Sequence, residues 1–232
     1  MTAGPLALVG SGEYLPVMQD VEARLIAGRP PRYVQIPTAA ALEGQHTLDK
    51  WVRLGKEQAA RLGVEAVPVV VRNRQEADDP ELAGLVEGAG LVYLSGGNPP
   101  YLAQTLRGTR VWEAVLRAWE EGAALAGCSA GAMALTGWAP HVRDLTKEAD
   151  LGLRVVPDWH VIPHFDRMAE WQPRLVDRVL ADAPAGTRVV GIDEDTAVVR
   201  EHDRWVVHGR QRAWLLTPDG RQGFGAGDAL PA

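Results

Sequence analysis

The segment Gly127-Cys128-Ser129-Ala130-Gly131 carries the residue types from which a nucleophile is built, between the apolar run Ala123 to Ala126 and the helix-forming run Ala132-Met133-Ala134-Leu135. A strand–turn–helix setting of this kind is what a nucleophile elbow requires. The turn strains its central residue, and small residues two positions to either side let strand and helix approach without a clash. Ser129 would stand at a helix amino terminus, where backbone N–H groups and the helix dipole favour developing negative charge. The bland alternative is a Gly/Ala/Ser-rich turn that only joins a strand to a helix. Cys128 is the rival nucleophile. With it at the centre, Ala126 and Ala130 would fall where the motif asks for glycine, so Cys128 reads as a buried small residue.

A serine needs a base. Among the six histidines, His164 in Val161-Ile162-Pro163-His164-Phe165 ends a predicted strand, the edge at which ligands bind in open parallel sheets. His46, His202 and His208 fall in a helix start and in polar turns. Asp158, His160, His164 and Asp166 are metal-ligand types in one stretch. In an extended segment the two histidines lie ~13 Å apart at ~3.3 Å per residue, and Pro163 opposes a helix, so no metal is expected. A carboxylate should orient the imidazole. Glu194 follows the run Val189 to Ile192, with Asp193 and Asp195 beside it; Asp144 and Asp166 are rivals, and the residues alone leave the choice open. Backbone donors for an oxyanion are expected from Ala130 and from Gly97, in Ser95-Gly96-Gly97-Asn98, where glycine permits close approach of the main chain.

The elements that must position these groups follow from periodicity. Short apolar runs at Leu6 to Val9, Tyr33 to Ile36, Ala66 to Val71, Gly90 to Leu94 and Ala123 to Ala126 alternate with amphipathic stretches at Val17 to Ala27, through Trp51 and Leu62, near Glu81 to Val86, and from Tyr101 to Glu120. That alternation predicts βαβ units. Val161-Ile162 and Arg188 to Ile192 read as further strands with a helix over Arg174 to Leu180 between them. The runs Ala197 to Val199, Trp205 to Val207 and Ala213 to Leu216, separated by polar turns, read as an antiparallel meander. The fold expected is α/β, a mostly parallel open sheet flanked by helices with a small antiparallel C-terminal meander, in a single hydrolytic domain over residues 1–232.

Composition bounds the partners. Twenty-four basic against thirty acidic side chains give a net charge of −6, which supplies no positive field for nucleic acid or an anionic membrane. No apolar run approaches membrane-spanning length, no basic residue precedes Leu6, and the single cysteine forms no internal disulfide, so a cytoplasmic protein is expected. Gly10-Ser11-Gly12 invites a dinucleotide reading, but Leu15 stands in place of the third glycine and the second strand ends in Pro37-Thr38 without an acidic residue for a ribose. No cofactor is expected. Glu13 and Tyr14 read as the rim of the site or as a structural turn.

With these residues in hand, the chain resembles the serine peptidase family of dipeptidase E (aspartyl dipeptidase) and cyanophycinase. The resemblance runs in order through Gly96-Gly97-Asn98, Ser129-Ala130-Gly131-Ala132, Pro163-His164-Phe165 and Gly191-Ile192-Asp193-Glu194-Asp195-Thr196-Ala197. It implies a class I glutamine amidotransferase-like fold and a Ser129, His164, Glu194 triad, with Asp144 a secondary polar residue near the site. Cyanophycinase-like members carry clustered arginines after the histidine, where this chain has Met168, Glu170 and Trp171. Dipeptidase E-like members carry a longer basic loop there, for which Arg167 and Arg174 are the substitutes. Neither cyanophycin nor strict aspartate preference is expected. Short peptides are the expected substrate, with Asn98, Asp144, Arg167 and Arg174 as candidate binding residues and a homodimer as a candidate assembly. A glutamine amidotransferase would ask for cysteine at Ser129 and a synthetase partner domain; a binding module would not ask for the serine, histidine and glutamate together.

Overall fold

The structure, a computed structural model, describes residues 3–144, 146–171 and 173–231. Strands and helices alternate through the first part: β1 (Leu6–Val9), α1 (Gln19–Ile26), β2 (Arg32–Ile36), α2 (Gln45–Leu62), β3 (Glu65–Pro68), α3 (Arg74–Ala77), α4 (Pro80–Gly84), β4 (Leu91–Leu94), α5 (Pro99–Leu106), α6 (Arg110–Glu120), β5 (Ala124–Cys128) and α7 (Ala130–Leu135). There follow the short β6 (Trp138–Ala139) and β7 (Asp150–Leu151), then β8 (Trp159–Pro163), α8 (Phe165–Trp171), α9 (Pro173–Asp182), β9 (Arg188–Ile192), β10 (Thr196–Glu201), β11 (Arg204–Gly209), β12 (Ala213–Thr217) and β13 (Gly220–Phe224).

The main sheet has the order β11-β10-β1-β5-β4-β2-β3, with β1 to β5 mutually parallel and the β10–β11 hairpin added antiparallel to β1. Both faces of its central strands are covered, which is why they read as unbroken apolar runs. Leu6 and Leu8 face the cluster built with α5, α6 and α7, while Ala7 and Val9 face the one built with α1 and α2. The third strand stops at Pro68, short of the expected Val71. Pro68 lies on the sheet's edge, where its missing N–H breaks no ladder bond.

A second sheet, β13-β12-β9-β8, pairs β8 with β9 in parallel and the rest antiparallel. Val161, Val190 and Ile192 on one face join the main core, and Ile162 and Val189 on the other pack with Phe165, Met168 and Val179 of α8 and α9. The antiparallel C-terminal strands are therefore present and are divided between two sheets: the runs at 197–199 and 205–207 extend the main sheet, and that at 213–216 pairs with β9. Among the described residues, no helix is long and apolar enough to cross a membrane.

Candidate active site

The chemistry collects where the two sheets present the carboxyl ends of their parallel strands. Val9 is level with Cys128 and Leu94 with Gly127, so the loops after β1, β4 and β5 emerge together. In the smaller sheet Pro163 is level with Ile192, so His164 and Glu194 leave adjacent strands one and two residues later.

Ser129 caps α7 with φ 51° and ψ −110°, and His164 also has φ 51°. Such conformations cost a non-glycine residue about 1–3 kcal/mol and persist only when neighbours hold them. The Ser129 N–H donates to the Val9 carbonyl at 2.9 Å, and the His164 carbonyl accepts from the N–H groups of Arg167 and Met168 at 2.9 Å each. His164 Nε2 lies 3.0 Å from Ser129 Oγ, and Nδ1 lies 3.0 Å from Glu194 Oε1. With its proton on Nδ1, the imidazole donates to Glu194 and can accept the serine proton.

The neighbouring carboxylates have other tasks. Asp166 Oδ1 accepts the Glu194 N–H at 2.9 Å and so braces the backbone of that residue. Asp193 is buried, its oxygens taken by Trp214 Nε1 at 2.9 Å and the Arg212 N–H at 3.2 Å, and burial raises its pKa. Asp195 turns the chain at φ 53°. Asp144 lies on an exposed loop, where the Thr146 hydroxyl and N–H hold its carboxyl below the usual range. Arg167 Nε stands 3.5 Å from Glu194 Oε2 and 3.6 Å from Asp166 Oδ2. Gln211, which carries no sequence signal, donates to the Glu194 carbonyl at 3.0 Å. Arg174 is exposed on α9, without a contact to Ser129, His164 or Glu194 among the described residues. The side chains of Glu170 and Trp171 lie outside the described ones.

In the turn after β4, the fold consumes three N–H groups: Ser95 donates to Ile36 O at 3.3 Å, Asn98 to Ala39 O at 2.7 Å, and Gly96 to Glu13 Oε1 at 3.0 Å. Neither Gly97, at φ 143°, nor Ala130, at the start of α7, has an acceptor for its N–H among the described residues. The Asn98 side chain caps α5 by accepting the Tyr101 N–H at 3.0 Å. Beside Gly97 and Asn98 opens a cavity of about 190 Å³ whose far wall carries His141, Arg143, Asp144 and Lys147. A hollow of about 370 Å³ continues beyond His141 and Lys147 towards Trp138 and Arg178.

Cys128 is buried, and its thiol donates to Glu13 Oε2 at 3.0 Å. Burial, then the charge of Glu13, raises its pKa, the reverse of what a thiolate nucleophile needs. His160 is buried against Trp138, ring centroids 4.8 Å apart, and burial lowers its pKa to about 4. The Gly10-Ser11-Gly12 stretch seats the 193–195 turn: a Cβ on Gly10 would come within 2.1 Å of the Asp193 carbonyl oxygen. Glu13, read from sequence as rim or turn, is buried beneath the site, and Tyr14 behind it bonds Ser95 Oγ through its hydroxyl at 3.1 Å.

The profile of peptidase family S51 matches residues 6–207. Two cyanophycinases, from Trichormus variabilis and a Nostoc species, are each 30% identical over 207 residues, a match covering 83% of this chain and 65% of theirs. The crystal structure of a peptidase from an acI-B1 Actinobacterium superposes with a TM-score of 0.91 at 40% identity, covering 98% of this chain and 96% of that one. A protein from Listeria monocytogenes assigned to peptidase E shares the fold, with a TM-score of 0.65 at 18% identity, over 90% of this chain and all of its own.

Proposed function

This chain belongs to peptidase family S51, and from that premise we propose that it is a serine peptidase that hydrolyses short peptides through an acyl-enzyme on Ser129. The observation that carries the reading is the continuous relay from Ser129 Oγ to His164 Nε2 and from His164 Nδ1 to Glu194 Oε1, both at 3.0 Å. His164 takes the serine proton as Oγ attacks the scissile carbonyl, and Glu194 stabilises the imidazolium that forms. The oxyanion is held by the N–H groups of Gly97 and Ala130, which have no acceptor among the described residues. His164 then returns its proton to the leaving amine, and water repeats the sequence on the ester.

For the substrate, the cavity of about 190 Å³ beside Gly97 suits one side chain or one terminus, which supports short peptides cut near a free end. Arg167, held between Asp166 and Glu194, supports a role on the acid more than on a substrate carboxylate. The cyanophycinase relatives favour a second reading, action on an acidic polymer decorated with arginine, which the absence of an arginine cluster in the sequence 165–173 opposes. A panel of di- and tripeptides with free and blocked termini, run beside cyanophycin, separates the two. Hydrolysis of free short peptides and neglect of blocked ones is expected; equal activity on blocked peptides, or efficient digestion of cyanophycin, would overturn the short-peptide reading.

A further inference from the structure

We propose that Glu13 is a positioning residue of this site, whose buried carboxylate ties the oxyanion turn to the nucleophile elbow. The inference rests on the reading of Ser129 as nucleophile. Glu13 follows β1 and reaches the end of β5, its neighbour in the sheet, and the turn after β4, one strand further. Its Oε1 accepts the Gly96 N–H at 3.0 Å, and its Oε2 accepts the Cys128 thiol proton at 3.0 Å. Gly96 immediately precedes Gly97, and Cys128 immediately precedes Ser129. One buried side chain therefore holds the backbone N–H next to the oxyanion donor and the side chain next to the nucleophile.

The geometry of the turn gives this contact its consequence. Glu13 takes the Gly96 N–H, while the Gly97 N–H of the same turn has no acceptor among the described residues. The space is shared closely: a Cβ on Gly96 would lie 2.7 Å from Glu13 Oε1 and 3.8 Å from Ser129 Oγ. Residue 96 is thus a thin wall between carboxylate and serine, and the carboxylate can hold the turn only because that wall has no side chain. The Tyr14 hydroxyl on Ser95 supports the same turn from the adjacent position. An oxyanion donor acts mainly in the transition state, so an error in its aim is expected in kcat and not in substrate affinity.

The test compares Glu13→Met with Glu13→Gln in the full chain. Both fill the space, but only glutamine keeps an acceptor for the Gly96 N–H. The readouts are the second-order rate of labelling by a fluorophosphonate and the kcat and KM of a cleaved dipeptide. Glu13→Met is expected to slow labelling and kcat by about 100-fold with KM within about threefold, whereas Glu13→Gln stays within about tenfold of the parent. Equal rates for the two variants, or a loss confined to KM, overturn the proposal. If Glu13→Met does not fold, Glu13→Asp, which keeps the charge and withdraws it by one methylene, carries the comparison. A kcat loss of about tenfold supports the proposal there, and an unchanged kcat overturns it. Ser129→Ala is the control: labelling that survives it overturns the assignment of the nucleophile, the premise itself, whereas equal rates for the Glu13 variants with labelling lost in Ser129→Ala overturn the role of Glu13 alone.

Discussion

At the scale of single residues, the site assigns different tasks to chemically identical groups by where they stand. Glu194 meets the imidazole through its side chain, whereas Asp166, of the same charge, meets Glu194 through the backbone N–H. Glu194→Gln is expected to lower kcat/KM by about 10³–10⁴-fold, Asp166→Asn by less and Asp144→Asn by least, because only the first reverses the hydrogen bond that sets the histidine tautomer. A steady-state comparison of the three purified variants decides it, and a ranking led by either aspartate would reject Glu194. The adjacent Cys128 and Ser129 separate in the same way. Ser129→Ala is expected to abolish turnover and fluorophosphonate labelling with little change in Tm, while Cys128→Ser, whose hydroxyl can still donate to Glu13, keeps most of both. Activity that survives the first change and vanishes with the second would move the nucleophile to Cys128.

At the scale of elements, the nucleophile elbow works because two glycines let α7 approach β5 and β4. A Cβ on Gly127 would stand 2.5 Å from the Gly131 carbonyl oxygen, and one on Gly131 would stand 2.4 Å from the Leu94 carbonyl oxygen. Neither obstacle is a side chain that can swing aside. Gly127→Ala and Gly131→Ala are each expected to lower unfolding free energy by about 2 kcal/mol or more and to reduce activity further than the loss of folded protein explains. Denaturant titration with active-site counting tests this; a variant with parent stability and full activity would show the approach to be looser than described. These elements were legible in the sequence because their signals are local: apolar runs of strand length, small residues around Ser129, a histidine closing a strand. The division of the C-terminal strands was not, since 197–199 and 213–216 look alike and only their distant partners, β1 and β9, separate them. Glu13 was equally opaque. A glutamate after Gly-Ser-Gly reads the same exposed or buried, and its acceptor role depends on a backbone N–H 83 residues away.

At the scale of the whole molecule, one buried acid that takes no part in the relay sets a dependence of stability on pH. Glu22 on α1 is buried among Tyr14, Tyr33 and Tyr93, with its Oε2 accepting the Tyr33 hydroxyl at 2.9 Å, and burial raises its pKa from 4.5 to about 7. The folded protein therefore keeps a proton that the unfolded chain releases. The resulting stabilisation is complete below 4.5 and is lost as pH rises through about 7. Glu22→Gln, which has no proton to lose, is expected to match the parent near pH 5 and to exceed it at pH 8 by up to about 3 kcal/mol. Urea titrations at the two pH values check it, and a difference independent of pH would rule it out. The larger architecture carries a consequence of another kind. Ser129 hangs from the seven-stranded sheet and His164 from the four-stranded one, with Glu194 on the turn that runs from β9 of the second to β10 of the first. The seam between the sheets is thus a joint with a tight mechanical tolerance, since a displacement of about 1 Å in a reacting group can cost about 10²-fold in rate. A lineage that kept both sheets and all three side chains but let the joint settle differently would keep the fold and lose the reaction, so drift away from catalysis can begin in packing residues that touch no substrate.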